Sequence, residues 1–322
     1  MKISKRTVSV LALMAMPSIT LAEIKPLSDE ALSNMTGQAG LSIDFHDFSV
    51  ELGEINYKDE GNLFITGYHL GGAGIAQEAR GQTVTDGRGL DNGSWIIDVA
   101  GANDSDALEA AWGYDGVNLS GPISRVVDSG GSHGQITPDI EDGDFVLQAR
   151  LLDENHGADF GLLIDRITLG TSDLVAGDDL LGNNSGTVLA SNIVTSGYLG
   201  PFAVVIDGSE SNLNFSLPWE STTDVTFDFI ATKMQIKMHN SRGNDRLVWA
   251  TAGDPGTASF FHFQADIGAM DDNSGLKFNI TDFSGDIDLT NITFGMSPSA
   301  QPIGSIYFTD LVAKADMVVY GH

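Results

Sequence analysis

The sequence predicts an all-β chain: an antiparallel β-sandwich, jelly-roll or solenoid-like fold with one short N-terminal helix. Three observations carry this expectation. Apolar residues recur at every second position in short segments, which is the period of a strand with one face turned inward. Thirty-eight glycines and turns such as "DGRGLDNGS", "EDGD", "NSRGND" and "AGDPG" divide those segments, because Gly, Asn and Asp tolerate positive φ. No helical periodicity separates the strands, which argues against βαβ units.

Residues 1–22 have the pattern of a cleavable export signal. Lys2, Lys5 and Arg6 precede an apolar run from Val8 to Met16, and small residues follow at Thr20 and Ala22. The run is too short for a bilayer span. Residues 23–40 form a lead-in. Ser28 is a good N-cap, Asp29 and Glu30 suit the positive end of a helix dipole, and Ala31, Leu32 and Met35 share a face. The spacing predicts a helix over Asp29–Met35, ended by Gly37.

Residues 41–322 are expected to be β-rich. Strand candidates are "LSIDFHDFSVELG", "GSWIIDVAG", "DFVLQARLLD", "DVTFDFIATKMQIKMH", "SFFHFQADIGAM" and "GLKFNITDFSGDIDLTNITFG". In the fourth, the alternation of Val225, Phe227, Phe229 and Ala231 changes phase to Met234, Ile236 and Met238, predicting a bulge or bend near Thr232 and Lys233. The order strand-Gly, Gly-strand, strand-Gly occurs near 162–208 and again near 286–322, which suggests repeated units.

The lead-in also resembles a known family. Leu27, Asp29, Leu32, Met35, Thr36, Gly37, Gln38, Ala39 and Gly40 match an acidic segment, ending T-G-Q-A-G, of the FilA-like pilus-assembly proteins of Gram-negative bacteria. The ending "IGSIYFTDL…VVYGH" is similar to theirs. The resemblance is specific over about twenty residues. It implies a secreted or outer-surface β-protein whose partners are other surface or pilus-assembly proteins. It transfers no catalytic residue.

The formal charge is −28, and loss of the three signal cations takes it to −31. Such a surface repels nucleic acid and anionic head groups. The chain has no cysteine, so disulfides and a lipidated N-terminal cysteine are excluded. Localisation is expected in the periplasm, at the outer-membrane surface or outside the cell. An outer-membrane barrel ranks below a soluble β-fold, because the strand candidates vary in length.

Catalytic and metal patterns are sparse. "GGSHG" places Ser132 in a G-x-S-x-G frame, but the following "QITPDIEDGD" does not form the helix that a nucleophile elbow requires. "GGAGIAQ" (Gly71–Gln77) begins like a dinucleotide loop without its third glycine or long helix, and reads as a turn. The seven histidines show no zinc spacing. The acidic turns offer calcium candidates, Asp104, Asp106, Asp139, Asp142, Asp144, Asp271 and Asp272, although none fits an EF-hand. Trp95, Trp112, Trp219 and Trp249 read mainly as core. The expectation is an exported protein that is not an enzyme, without a cofactor, pilus-associated or adhesive. A binding module for apolar surfaces or lipids in biofilm attachment is the first alternative. A secreted hydrolase using Ser132 is the second.

Overall fold

The computed structural model describes residues 41–91, 93–100, 123–127, 140–151, 158–171, 186–200, 202–208, 212–242, 245–251, 254–270, 274–297 and 299–320. The signal, the helix expected over Asp29–Met35 and the motif from Leu27 to Gly40 lie outside them. So do Ser132 and Trp112.

The described residues are all-β, as the sequence predicts, with strands gathered into a 13-stranded antiparallel sheet and a separate 3-stranded sheet. Long strands form the spine of the large sheet. β10 (Asn212–Phe227) is flanked on one side by β9 (Phe202–Ile206) and β8 (Gly186–Leu199). These two line up end to end, with Leu199 opposite Trp219 and Ala203 opposite Ser216. On its other side, β14 (Phe261–Ala269) pairs with Asn212–Trp219 and β11 (Thr232–His239) with Ser221–Phe227. β15 (Gly275–Phe294) runs along both β14 and β11, and β16 (Gly304–Tyr320) runs along β15.

Two arms leave this spine. One runs from β9 through β6 (Phe145–Leu151) and β4 (Gly93–Val99) to β1 (Leu41–Phe45). The other runs from β8 through β7 (Ala158–Gly170) and β3 (Asn62–Gly71) to β2 (Val50–Lys58). The described sheet does not close, since β1, β2 and β16 end it. Between β11 and β14 the chain leaves the large sheet as β12 (Asp245–Thr251) and β13 (Asp254–Ser259), which join β5 (Ile123–Val127).

Gly285 sits where β11 and β14 meet along β15. Its φ is +143°, and a Cβ there would lie 2.5 Å from Phe261 Cδ2 and 2.7 Å from the His239 carbonyl oxygen. Only glycine fits such a junction.

Two local expectations change. The segment Asp224–His239 is not one bent strand. β10 ends at Phe227, a 3-10 turn spans Asp228–Ile230, and Ala231 takes the left-handed conformation with φ 48°. The chain reverses, so that Phe227 faces Thr232. The phase change in the apolar pattern is therefore mainly a hairpin, with a register shift against β15 between Lys233 and Gln235. "GGAGIAQ" is not a turn, since Ala73–Ala79 form a helix, α1. Its glycines hide the signal, and burial of Ala73, Gly74, Ile75 and Ala76 supplies the stability that seven residues lack alone. Gly161 on β7 allows the approach, because a Cβ there would lie 2.6 Å from the Gly72 oxygen and 2.7 Å from Ile75 Cγ1.

The stretches near 162–208 and 286–322 each contain an antiparallel strand pair, β7–β8 and β15–β16. In the first, the third segment is a separate strand, β9. In the second, Met317–Tyr320 are the end of β16 itself.

Candidate functional site

The register of the large sheet assigns each side chain to one of two faces, because cross-strand partners share a side. One face carries Leu41, Ile43, Trp95, Ile97, Val99, Phe145, Leu147, Phe202, Val204 and Ile206 along the β1–β4–β6–β9 arm. It continues with Leu213, Phe215, Leu217 and Trp219 on β10 and with Phe261, Phe263, Ala265 and Ile267 on β14, of which Phe261 and Ala265 are fully buried. Leu276, Phe278, Ile280 and Phe283 on β15 extend it to β16. Nearly every position is large and apolar.

That face is the outer one. On β6, Phe145 is 38% exposed while its neighbours Val146 and Gln148 are 0% exposed. On β9, Ile206 is 46% exposed while Ala203 and Val205 are fully buried. On β10, β14 and β15 the inner positions include Ser216, His262, Gln264, Asp282, Ser284 and Asp286, all buried. Along much of β6, β9, β10, β14 and β15 the usual sense of alternation is thus inverted, with small or polar side chains pointing in and large apolar ones out, although Phe64 on β3 and Phe261 on β14 are fully buried. Aromatic contacts tie the outer face together. Trp95 lies between Phe45 and Phe202, at 5.3 and 5.8 Å between ring centroids, and Phe261 contacts both Trp219 and Phe283. Of the tryptophans expected mainly in the core, Trp95 and Trp219 are half-buried on this face.

The polar interior is organised in hydrogen-bonded groups. His262 Nε2 lies 3.0 Å from Ser216 Oγ, and its Nδ1 lies 2.8 Å from Asp282 Oδ2. Three neighbouring strands place a hydroxyl, an imidazole and a carboxylate in the hydrogen-bond order of a Ser-His-Asp nucleophile. Ser216 and Asp282 are 0% exposed and His262 is 2% exposed, so no substrate reaches Ser216 Oγ in this structure. The arrangement acts as a buried clasp between β10, β14 and β15.

A second group lies near the β11–β15–β16 junction. Arg242 grips Asp288 with two hydrogen bonds, at 3.1 and 2.6 Å, and its amide donates to Asp286 Oδ2 at 2.7 Å. His239 Nε2 is 3.2 Å from Asp288 Oδ2. The Asp310 amide donates to Asp286 Oδ1 at 3.2 Å. Burial alone would push the Asp288 carboxyl up, but hydrogen bonds from Arg242 and His239 and their positive charges outweigh it and hold the carboxyl low. The same hydrogen bond to Asp288 raises the Arg242 guanidinium against the opposing effect of burial.

The third feature is a polar cleft of about 200 Å³ beneath α1, lined by Gln77, Arg80, Asp86, Ser196, Tyr198 and Glu220 among others. Arg80 is fully engaged there, donating to Asp224 Oδ2 and Ser196 Oγ and to the carbonyls of Val194 and Thr222. It anchors α1 to β8 and β10. Near it, burial and the charges of Asp86 and Asp91 raise the Asp159 carboxyl.

Of the calcium candidates, Asp104, Asp106, Asp139, Asp271 and Asp272 lie outside the described residues. Asp142 is exposed in a turn. Asp144 points inward and accepts the amides of Glu141 and Gly208, at 2.8 and 3.0 Å, with its two carboxylate oxygens. Among the described residues, no three His, Asp or Glu side chains converge as a metal-holding group. Sequence reasoning did not single out Ser216, Asp282, Asp286, Asp288 or Arg242. Their only signal is a polar residue at every second position of β10, β14 and β15, which does not say which face is buried.

Among the described residues, no helix is long and apolar enough to cross a membrane. Residues 1–101 match the model of a family of unknown function, DUF6160. No curated protein and no solved structure matches the chain.

Proposed function

We propose that the chain is an exported, non-enzymatic adhesive protein that binds apolar surfaces or lipids through the outer face of its large sheet. The inverted alternation carries this reading. A Val, Leu, Ile or Phe side chain left in water forgoes about 1.5–3 kcal/mol of burial, and extended exposed apolar patches mark interaction sites. The charge of −28 disfavours anionic head groups, so the matching phase is uncharged: hydrocarbon, neutral lipid or zwitterionic lipid. The resemblance of Leu27–Gly40 to FilA-like proteins supports export to the cell surface and association with pilus-assembly proteins there.

Partition of the purified mature chain onto hexadecane droplets tests the reading. The chain is expected to coat the droplets. Val99→Asp, Ile206→Asp and Leu276→Asp combined are expected to abolish coating, because all three lie on the outer face at exposures of 46% or more. The melting temperature is expected to hold, because none is buried. Phe229→Asp, in the hairpin turn between β10 and β11, is expected to leave coating intact. Coating by the triple variant equal to wild type would refute the proposal.

A further inference from the structure

β16 is paired on one side only among the described strands. Sixteen of its 17 residues are exposed and Leu311 is half-buried. Natural edge strands are usually short, broken by proline or studded with lysine. β16 is long, has no proline and carries one lysine, Lys314. A bulge interrupts it: Phe308 faces Ile287 and Leu311 faces Gly285, so Thr309 and Asp310 share the position opposite Asp286. Asp310 has the positive φ, 53°, of a bulge residue.

The bulge keeps the apolar residues together. Ile306 and Phe308 share a side with Leu311, Ala313, Ala315, Met317 and Val319. Without it, Leu311 and the residues after it would change faces.

We propose that this edge pairs with β16 of a second copy of the chain, antiparallel, with a two-fold axis at Val312. Charge complementarity and full overlap select both partner and register. About Val312, Asp310 of each copy faces Lys314 of the other, so the contact forms twice. Leu311 faces Ala313. Beyond the bulges, Phe308 meets Ala315, Tyr307 meets Asp316 and Ile306 meets Met317, so apolar residues meet on the outer face. Centring the axis one residue later, at Ala313, opposes Asp310 to Asp316, and like charges face to face are unfavourable. Such an interface is self-complementary and closes as a dimer. It joins the outer faces of two copies into one sheet.

Sedimentation of the mature chain in a non-ionic detergent tests this independently of the apolar-surface proposal, because detergent covers the outer face and leaves edge hydrogen bonds available. A dimer at micromolar concentration is expected, weakened at least tenfold by Lys314→Asp. The chain lacks cysteine, so Val312→Cys offers one thiol per copy. Directly opposed positions lie within the Cα separations that a disulfide spans, and mild oxidation is expected to trap a covalent dimer. Ser305→Cys, which would face Val318, is expected not to be trapped. A monomer throughout, or a dimer that oxidation of Val312→Cys fails to trap, would overturn the proposal. A trapped dimer indifferent to Lys314→Asp would overturn the register.

Discussion

At His262 one imidazole holds two strands to a third. Removing it breaks its hydrogen bonds to both Asp282 and Ser216, in a place where neither is exposed. His262→Ala is expected to cost about 2–5 kcal/mol, because it breaks two buried hydrogen bonds and leaves a cavity. Ser216→Ala, which removes one hydrogen bond, is expected to cost about 1–3 kcal/mol. Urea unfolding measures both. If both variants are as stable as the wild type, the clasp reading fails. Asp288 makes a prediction in pH. Its carboxyl lies below the ordinary 3.8 in the folded chain. Its contribution is therefore complete above that value and lost as pH falls through the depressed folded value. Thermal melts of wild type and Asp288→Asn are expected to differ by a constant amount near neutrality and to converge in strong acid. A gap that widens in acid would contradict the pairing with Arg242 and His239.

At the scale of elements, strand positions were largely legible and strand order was not. Period-two patterns located β4, β6, β14 and β15 closely, because each strand carries its own alternation. The hairpin at Phe227–Thr232 was harder to read. Its turn, Asp228–Ala231, contains no glycine, asparagine or proline, and Phe229 and Ile230 prolong the apolar pattern into the reversal. α1 was missed because helix propensity predicts little when glycine opens the segment and tertiary burial decides. The alignment of β11 with β14 is set by pairing with β10 and β15, which lie close in space but not throughout in sequence. Gly285 marks that joint. Gly285→Ala is expected to destabilise the chain by about 1–3 kcal/mol, as overpacking does, because its Cβ would meet Phe261 and the His239 carbonyl. An unchanged denaturation midpoint would show that β11 and β14 do not abut there.

For the whole molecule, the sign of the alternation matters more than its presence. "FVLQARL" and "FAVVI" read equally well with either face inward. The structure buries Val146, Gln148, Ala203 and Val205 and turns Phe145 and Ile206 outward. This choice depends on what the interior already holds, and beside Phe64, Phe260 and Ile75 the interior holds Ser216, His262, Asp282 and Asp286. A partly polar interior and an exposed apolar exterior belong together, and the second creates the need for an apolar partner. The most direct test reads that contact position by position. The chain has no cysteine, so Val99→Cys, Ile206→Cys and Leu276→Cys can each carry a single environment-sensitive fluorophore, with Asp142→Cys as an exposed turn control. On addition of phosphatidylcholine vesicles or hexadecane droplets, the three outer-face probes are expected to shift to the blue and become protected from aqueous quencher, while the control stays unchanged. If the outer-face probes remain as wet as the control, the sheet does not meet the apolar phase, and the central claim is wrong.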